Sequence, residues 1–138
     1  SDIMLVVETG NNAMITSCFL GRKLIDDLDT KHLKVLWDPA NALYCGENPS
    51  KNALDSMEGG YLGHVHMKDV EVSIHQAKIK CVALGEGQMA PHLQKISERL
   101  NQIGYDGSMS LESVYRPTEG NFEDGFNASI TKFKNLYS

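Results

Sequence analysis

A chain of 138 residues is long enough for one domain with a real core, and 41% hydrophobic and 22% charged residues are those of a soluble globular protein. The formal net charge of −5 argues against nucleic acid as a partner, because a phosphate backbone asks for a basic face. The first apolar run is too short to span a bilayer and has no basic residues before it, so no membrane partner is expected and the chain reads as cytoplasmic. Cys18, Cys45 and Cys81 are odd in number and widely spaced, which reads as reduced, mostly buried thiols and not as a disulfide framework.

In chain order, "IMLVVE" (residues 3–8) predicts a strand buried on both faces. "NNAMITSCFLGRKLIDDL" has a helical pattern through Met14, Cys18, Ile25 and Leu28. "KVLWDPANA" (residues 34–42) is a second buried strand, stopped by Pro39 because proline cannot donate to the ladder. "NPSKNALDSME" predicts a short helix capped by Asn48 or Ser50, and "GYLGHVHMKDV" a third strand. The partial alternation of "EVSIHQAKIKCVALGEG" suggests a hairpin and a glycine-rich loop. "APHLQKISERLNQIG" is the clearest helix, with Pro91 in its first turn, Gly104 at its end and a stripe of Leu93, Ile96, Leu100 and Ile103. "SMSLES" is a fourth strand. The last helix, "NFEDGFNASITKFKNLY", carries Phe122, Phe126, Ile130 and Phe133 on one face. The order implies four parallel βα units in one domain over residues 1–138, either a small open sheet or half of an eight-unit barrel.

Chemistry in such folds sits at the C-terminal ends of the strands. Here those ends carry Glu8, Asp38, the group His64, His66 and Lys68, and Glu112. Side chains alternate along a strand, so His64, His66 and Lys68 share one face, and small Ser108 and Ser110 leave room beneath Glu112. Three carboxylates in one pocket repel one another, and a divalent cation removes the conflict. A mostly oxygen donor set suits Mn²⁺, Mg²⁺ or Co²⁺, with Zn²⁺ as a further option. Alternation alone leaves His64 and His66 equally placed as ligands.

Together "WDPANALYCGE", "GHVHMKD", "GEG" and "GYDGSMSLES" resemble the second half of sugar phosphate isomerase/epimerase-like proteins of the xylose-isomerase-like TIM-barrel superfamily. The resemblance implies the C-terminal half of a (β/α)8 barrel. It implies metal ligands at Glu8, Asp38, His66 and Glu112, favouring His66 over His64. It also implies that Glu8 and Glu112 move protons through a metal-stabilised enediolate. Substrate contacts are expected at Asn41, His64, Lys68, Asp69 and Glu86, with Asp69 orienting Lys68 or merely pairing with it. The chain departs from the free-ketose 3-epimerases at three matching positions, where it has Asn41 for a histidine, Met14 for a glutamate and Val72 for an arginine. Its H-x-K-D form resembles other branches, among them sugar-phosphate epimerases and inosose dehydratases.

The expected function is therefore a metal-dependent isomerase or epimerase of a sugar or sugar phosphate. The alternatives are a dehydratase of a cyclic keto-polyol and a non-catalytic metal- or sugar-binding fragment. A DNA-repair endonuclease of the same superfamily fits poorly with the acidic charge. Four strands of an eight-stranded barrel leave two open edges, so a homodimer or pairing with a separate N-terminal half is expected. Blander readings apply to several residues: Glu86 as a helix cap, Asn41 as a turn residue, Trp37 and the phenylalanine stripe as packing.

Overall fold

The computed structural model describes residues 3–112 and 114–137, so Ser113, the last residue of the expected fourth strand, lies outside the described residues. The elements in order are β1 (Leu5–Glu8), α1 (Cys18–Leu28), β2 (Leu33–Trp37), α2 (Pro39–Tyr44), a 3₁₀ turn (Leu54–Met57) and β3 (Leu62–Met67). Then come β4 (Asp69–Ser73), a 3₁₀ turn (Ile74–Gln76), β5 (Lys78–Val82), α3 (Ala90–Gln102), β6 (Ser108–Leu111) and α4 (Phe122–Tyr137). Four strands form a parallel sheet in the order β1-β2-β3-β6, and β4 and β5 make a separate antiparallel hairpin. This is a partial TIM barrel, with the helices on one face of the sheet and the other face open.

The helix-covered face holds the core. Val35, Trp37, Val65 and Met67 are buried on the central strands and pack with Leu93, Ile96 and Leu100 of α3. Alternate residues of the same strands turn the other way, so Val6, Leu36, His64, His66 and Ser110 face what would be the barrel interior. The register slips between Val35 and Leu36, opposite Gly63. A Cβ at Gly63 would lie 2.8 Å from Lys34 Cβ and 3.0 Å from Val6 Cγ1, so only glycine fits where the inner face narrows.

Several local expectations are corrected. β1 is not buried on both faces: Ile3 and Leu5 are 68% and 61% exposed, because β1 is an edge strand with no neighbour beyond it among the described residues. α1 begins only at Cys18, where Ser17 Oγ accepts from Leu20 N, and Met14 is 92% exposed ahead of it. Leu28, at the other end of α1, is also exposed. The second strand stops at Trp37, and Pro39 begins α2 instead of merely ending the strand. Asn48 caps no helix; its Oδ1 accepts from Ser50 N and Oγ in a local turn. Only part of the α4 stripe packs: Phe133 meets the core while Phe122 and Phe126 are exposed. Of the three free thiols only Cys18 is buried; Cys45 is exposed and Cys81 half-buried.

Candidate metal centre at the strand ends

Each strand of the sheet delivers its terminal polar residue to one place. Glu8, Asp38, His66 and Glu112 each offer a ligand atom, and these atoms lie within 4.8 Å of one another. Asp38 illustrates how the sequence builds this locally. It ends β2 and N-caps α2, so Oδ1 accepts from Ala40 N and Asn41 N at 3.0 Å each. The cap fixes the carboxylate and leaves Oδ2, fully buried, directed at the site.

His66 Nδ1 is buried without a hydrogen bond and lies 3.4 Å from Glu8 Oε1. Asp38 Oδ2 is also buried, and it faces the Lys68 ammonium at 2.7 Å. A buried ring nitrogen without a hydrogen bond is rare and calls for an explanation such as an ion. Carboxylate oxygens and one imidazole nitrogen are donors that a divalent cation accepts, so the residues present fit such a group.

Lys68 enters the same cluster. Its ammonium is 2.5 Å from Glu112 Oε2 as well as 2.7 Å from Asp38 Oδ2, and its side chain is 11% exposed. Burial pushes Lys68 down, but the two carboxylates outweigh it and the ammonium is held above its ordinary range. Burial pushes Glu112 up, yet Lys68 prevails and the carboxyl lies below its usual range. In Asp38 burial wins over the pull of Lys68 and the carboxyl is raised.

The two histidines differ in their partners. His66 joins the carboxylates, whereas His64 Nε2 lies 2.6 Å from Ser110 Oγ, two residues further down β3. Their rings meet edge to face with centroids 5.2 Å apart. Burial, then the neighbouring His66, lowers the His64 pKa and favours the neutral ring.

Two expected substrate residues stand elsewhere. Asp69 does not pair with Lys68; alternation turns it to the opposite face, where it is 1% exposed. Its Oδ1 accepts from Val70 N and Met89 N, and its Oδ2 from Gly85 N and Gly87 N, at 2.8–3.0 Å. It holds the loop between β5 and α3. Glu86 sits exposed in that loop and does not cap α3, whose N-cap is Met89 with no side-chain cap bond. Asn41 lies beside the site but is engaged, its Nδ2 donating to Thr9 O at 3.1 Å.

Sequence reading missed Thr9. It is fully buried, its Oγ1 accepts from Asp38 N at 2.9 Å, and its backbone N donates to Leu36 O. It thus ties the Glu8 end of β1 to the Asp38 end of β2. A polar residue directly after a strand-ending glutamate was the available signal. The hairpin was also missed as a wall: Ile79 and Cys81 join Glu8, Asn41, Lys68 and Glu112 around a cleft of about 370 Å³.

A family model described as xylose isomerase-like TIM barrel matches residues 1–135. The chain belongs to that family. No curated protein is similar enough in sequence to count as a relative. Among solved structures, a xylose isomerase domain protein from Planctomyces limnophilus is 22% identical with a TM-score of 0.72, over 96% of this chain and 44% of that one. A 3-keto-D-glucoside 4-epimerase from E. coli gives 22% identity and a TM-score of 0.72, over 96% and 46%. A probable 3-DHS dehydratase from Bacillus anthracis gives 18% and 0.71, over 96% and 49%. These likenesses bear on the fold, and the chain spans less than half the length of each. No helix among the described residues is long and apolar enough to cross a membrane.

Proposed function

We propose that this chain carries the metal-binding half of an isomerase or epimerase acting on a sugar or sugar phosphate. The observation that supports this reading best is the convergence of Glu8, Asp38, His66 and Glu112, with buried His66 Nδ1 left without a hydrogen bond. These four would hold a divalent ion such as Mn²⁺, Mg²⁺ or Co²⁺. Such an ion supplies a Lewis acid that makes a hydrogen beside a carbonyl easier to remove, worth several kcal/mol of barrier.

The remaining roles belong to the chain's own groups. Glu8 and Glu112 stand on the two outermost strands of the sheet, so they approach the cleft from opposite flanks. One, ionised, removes a proton from one side of the carbon and keeps it; the other, protonated, delivers its own proton to the opposite side. His64, steadied by Ser110 on the inner face of the sheet, offers a hydrogen bond to a substrate hydroxyl, and Asn41 lines the cleft.

A dehydratase of a cyclic keto-polyol is the second reading, favoured by the Lys68 ammonium at the cleft, which can protonate a departing hydroxyl. The two separate in one assay. A panel of ketoses, ketose phosphates and cyclic keto-polyols is incubated with the Mn²⁺-loaded protein in D₂O. Deuterium uptake without loss of water supports the isomerase, and enone absorbance supports the dehydratase. Neither signal from a form that carries all eight strands would contradict both.

A further inference from the structure

The Lys68 ammonium contacts oxygens of two of the residues that would hold an ion. Asp38 has one free oxygen, Oδ2, because the α2 cap uses the other. That oxygen is the one 2.7 Å from Lys68 Nζ. The same ammonium lies 2.5 Å from Glu112 Oε2. A divalent ion and an ammonium compete for these carboxylates, since two cations a few ångström apart in a partly dry site repel strongly. We propose that Lys68 is a built-in competitor for the ion: without an ion it bridges Asp38 and Glu112, and ion entry displaces it into the cleft. The inference rests on the metal reading above.

Three features of the structure make the exchange workable. The ammonium rides on a flexible four-carbon stem, and Lys68 already lines the cleft, so it has somewhere to go. Asp69 does not hold it back, because that carboxylate is committed to four backbone N–H groups on the other face. The bridge also offsets the repulsion between Asp38 and Glu112 that an ion-free site would suffer. The consequence is twofold. Ion affinity is set below what the four ligands alone would give, and ion binding frees an ammonium beside the substrate position.

The test is calorimetric titration of the metal-stripped chain with MnCl₂, on wild type, Lys68→Met and Lys68→Arg, with melting of each metal-free form. Lys68→Met is expected to bind Mn²⁺ roughly tenfold or more tighter than wild type, and to melt lower without the ion. Lys68→Arg, which keeps the charge, is expected within about threefold of wild type. Unchanged or weaker binding by Lys68→Met, while wild type binds, overturns the inference. So does an arginine variant that tightens as much as the methionine one. Absence of binding by wild type and Lys68→Met alike sinks the metal reading itself. If Lys68→Met does not fold, Lys68→Gln carries the same comparison.

Discussion

Asp69 shows how far a single side chain's role depends on which face it takes. Beside Lys68 in sequence it reads as that lysine's partner, yet period-2 alternation sends it to the other side of the strand. There it satisfies four backbone donors, of which those of Gly85, Gly87 and Met89 belong to the loop after β5. Asp69→Ala leaves these donors without their acceptor and should cost about 3–5 kcal/mol by urea denaturation, with His66 and its neighbours untouched. Gly87 belongs to the same clamp: a Cβ there would come within 2.6 Å of Val70 O. Glu8, Asp38, Glu112 and the His64/His66 pair were legible because they fall at strand ends that apolar runs mark, while the preference for His66 came from the resemblance alone. Thr9 and the true role of Asp69 were not, because both depend on hydrogen bonds across 16 or more residues of sequence.

Glu47 gives a pH dependence at the same scale. Burial raises its carboxyl to about 6 against 4.5, despite a hydrogen bond from the Cys18 backbone. A raised carboxyl favours the folded state only while it is protonated. Its contribution is therefore full below about pH 4.5 and is lost as pH rises through about 6. Glu47→Gln should therefore stabilise the chain at pH 7 by about 1 kcal/mol, discounted for partial exposure, and leave stability at pH 4 unchanged. Thermal melts of both forms at the two pH values check this.

Among the elements, α4 is the one where the sequence pattern misleads. Phe122, Phe126, Ile130 and Phe133 are spaced as one stripe, but a stripe does not say how much of its length finds a partner. α4 packs against α3 and β6, with Phe133 against the core and Phe126 in solvent. Phe133→Ala is accordingly expected to cost about 2–3 kcal/mol and Phe126→Ala less than about 1, as midpoint shifts in urea at constant slope. The hairpin of β4 and β5 was legible as an excursion from its alternation. Its function as a cleft wall was not, because only the folded chain brings Ile79 and Cys81 beside Lys68 and Glu112.

For the whole molecule, the open face is the dominant fact. Among the described residues β1 and β6 are the edge strands, each paired on one side only, and Ile3, Met4, Leu5 and Val6 are exposed at the first. Solvent-exposed apolar edges invite pairing. The isolated chain is expected to self-associate, giving a light-scattering mass above 15.3 kDa that falls when Leu5 and Val6 are both changed to Lys. The partial barrel was legible in the alternation of strands and helices. The exposure of β1 was not, because a run of branched residues looks the same whether or not its neighbour is present.

The central claim is that four strand ends of this one chain make a divalent metal site. Equilibrium titration with Mn²⁺, followed by the paramagnetic resonance of the free ion, tests it most directly on wild type, His66→Ala and Glu8→Gln. One bound ion per wild-type chain is expected, with affinity weakened at least about tenfold in each variant. Binding of undiminished strength in both variants would contradict it.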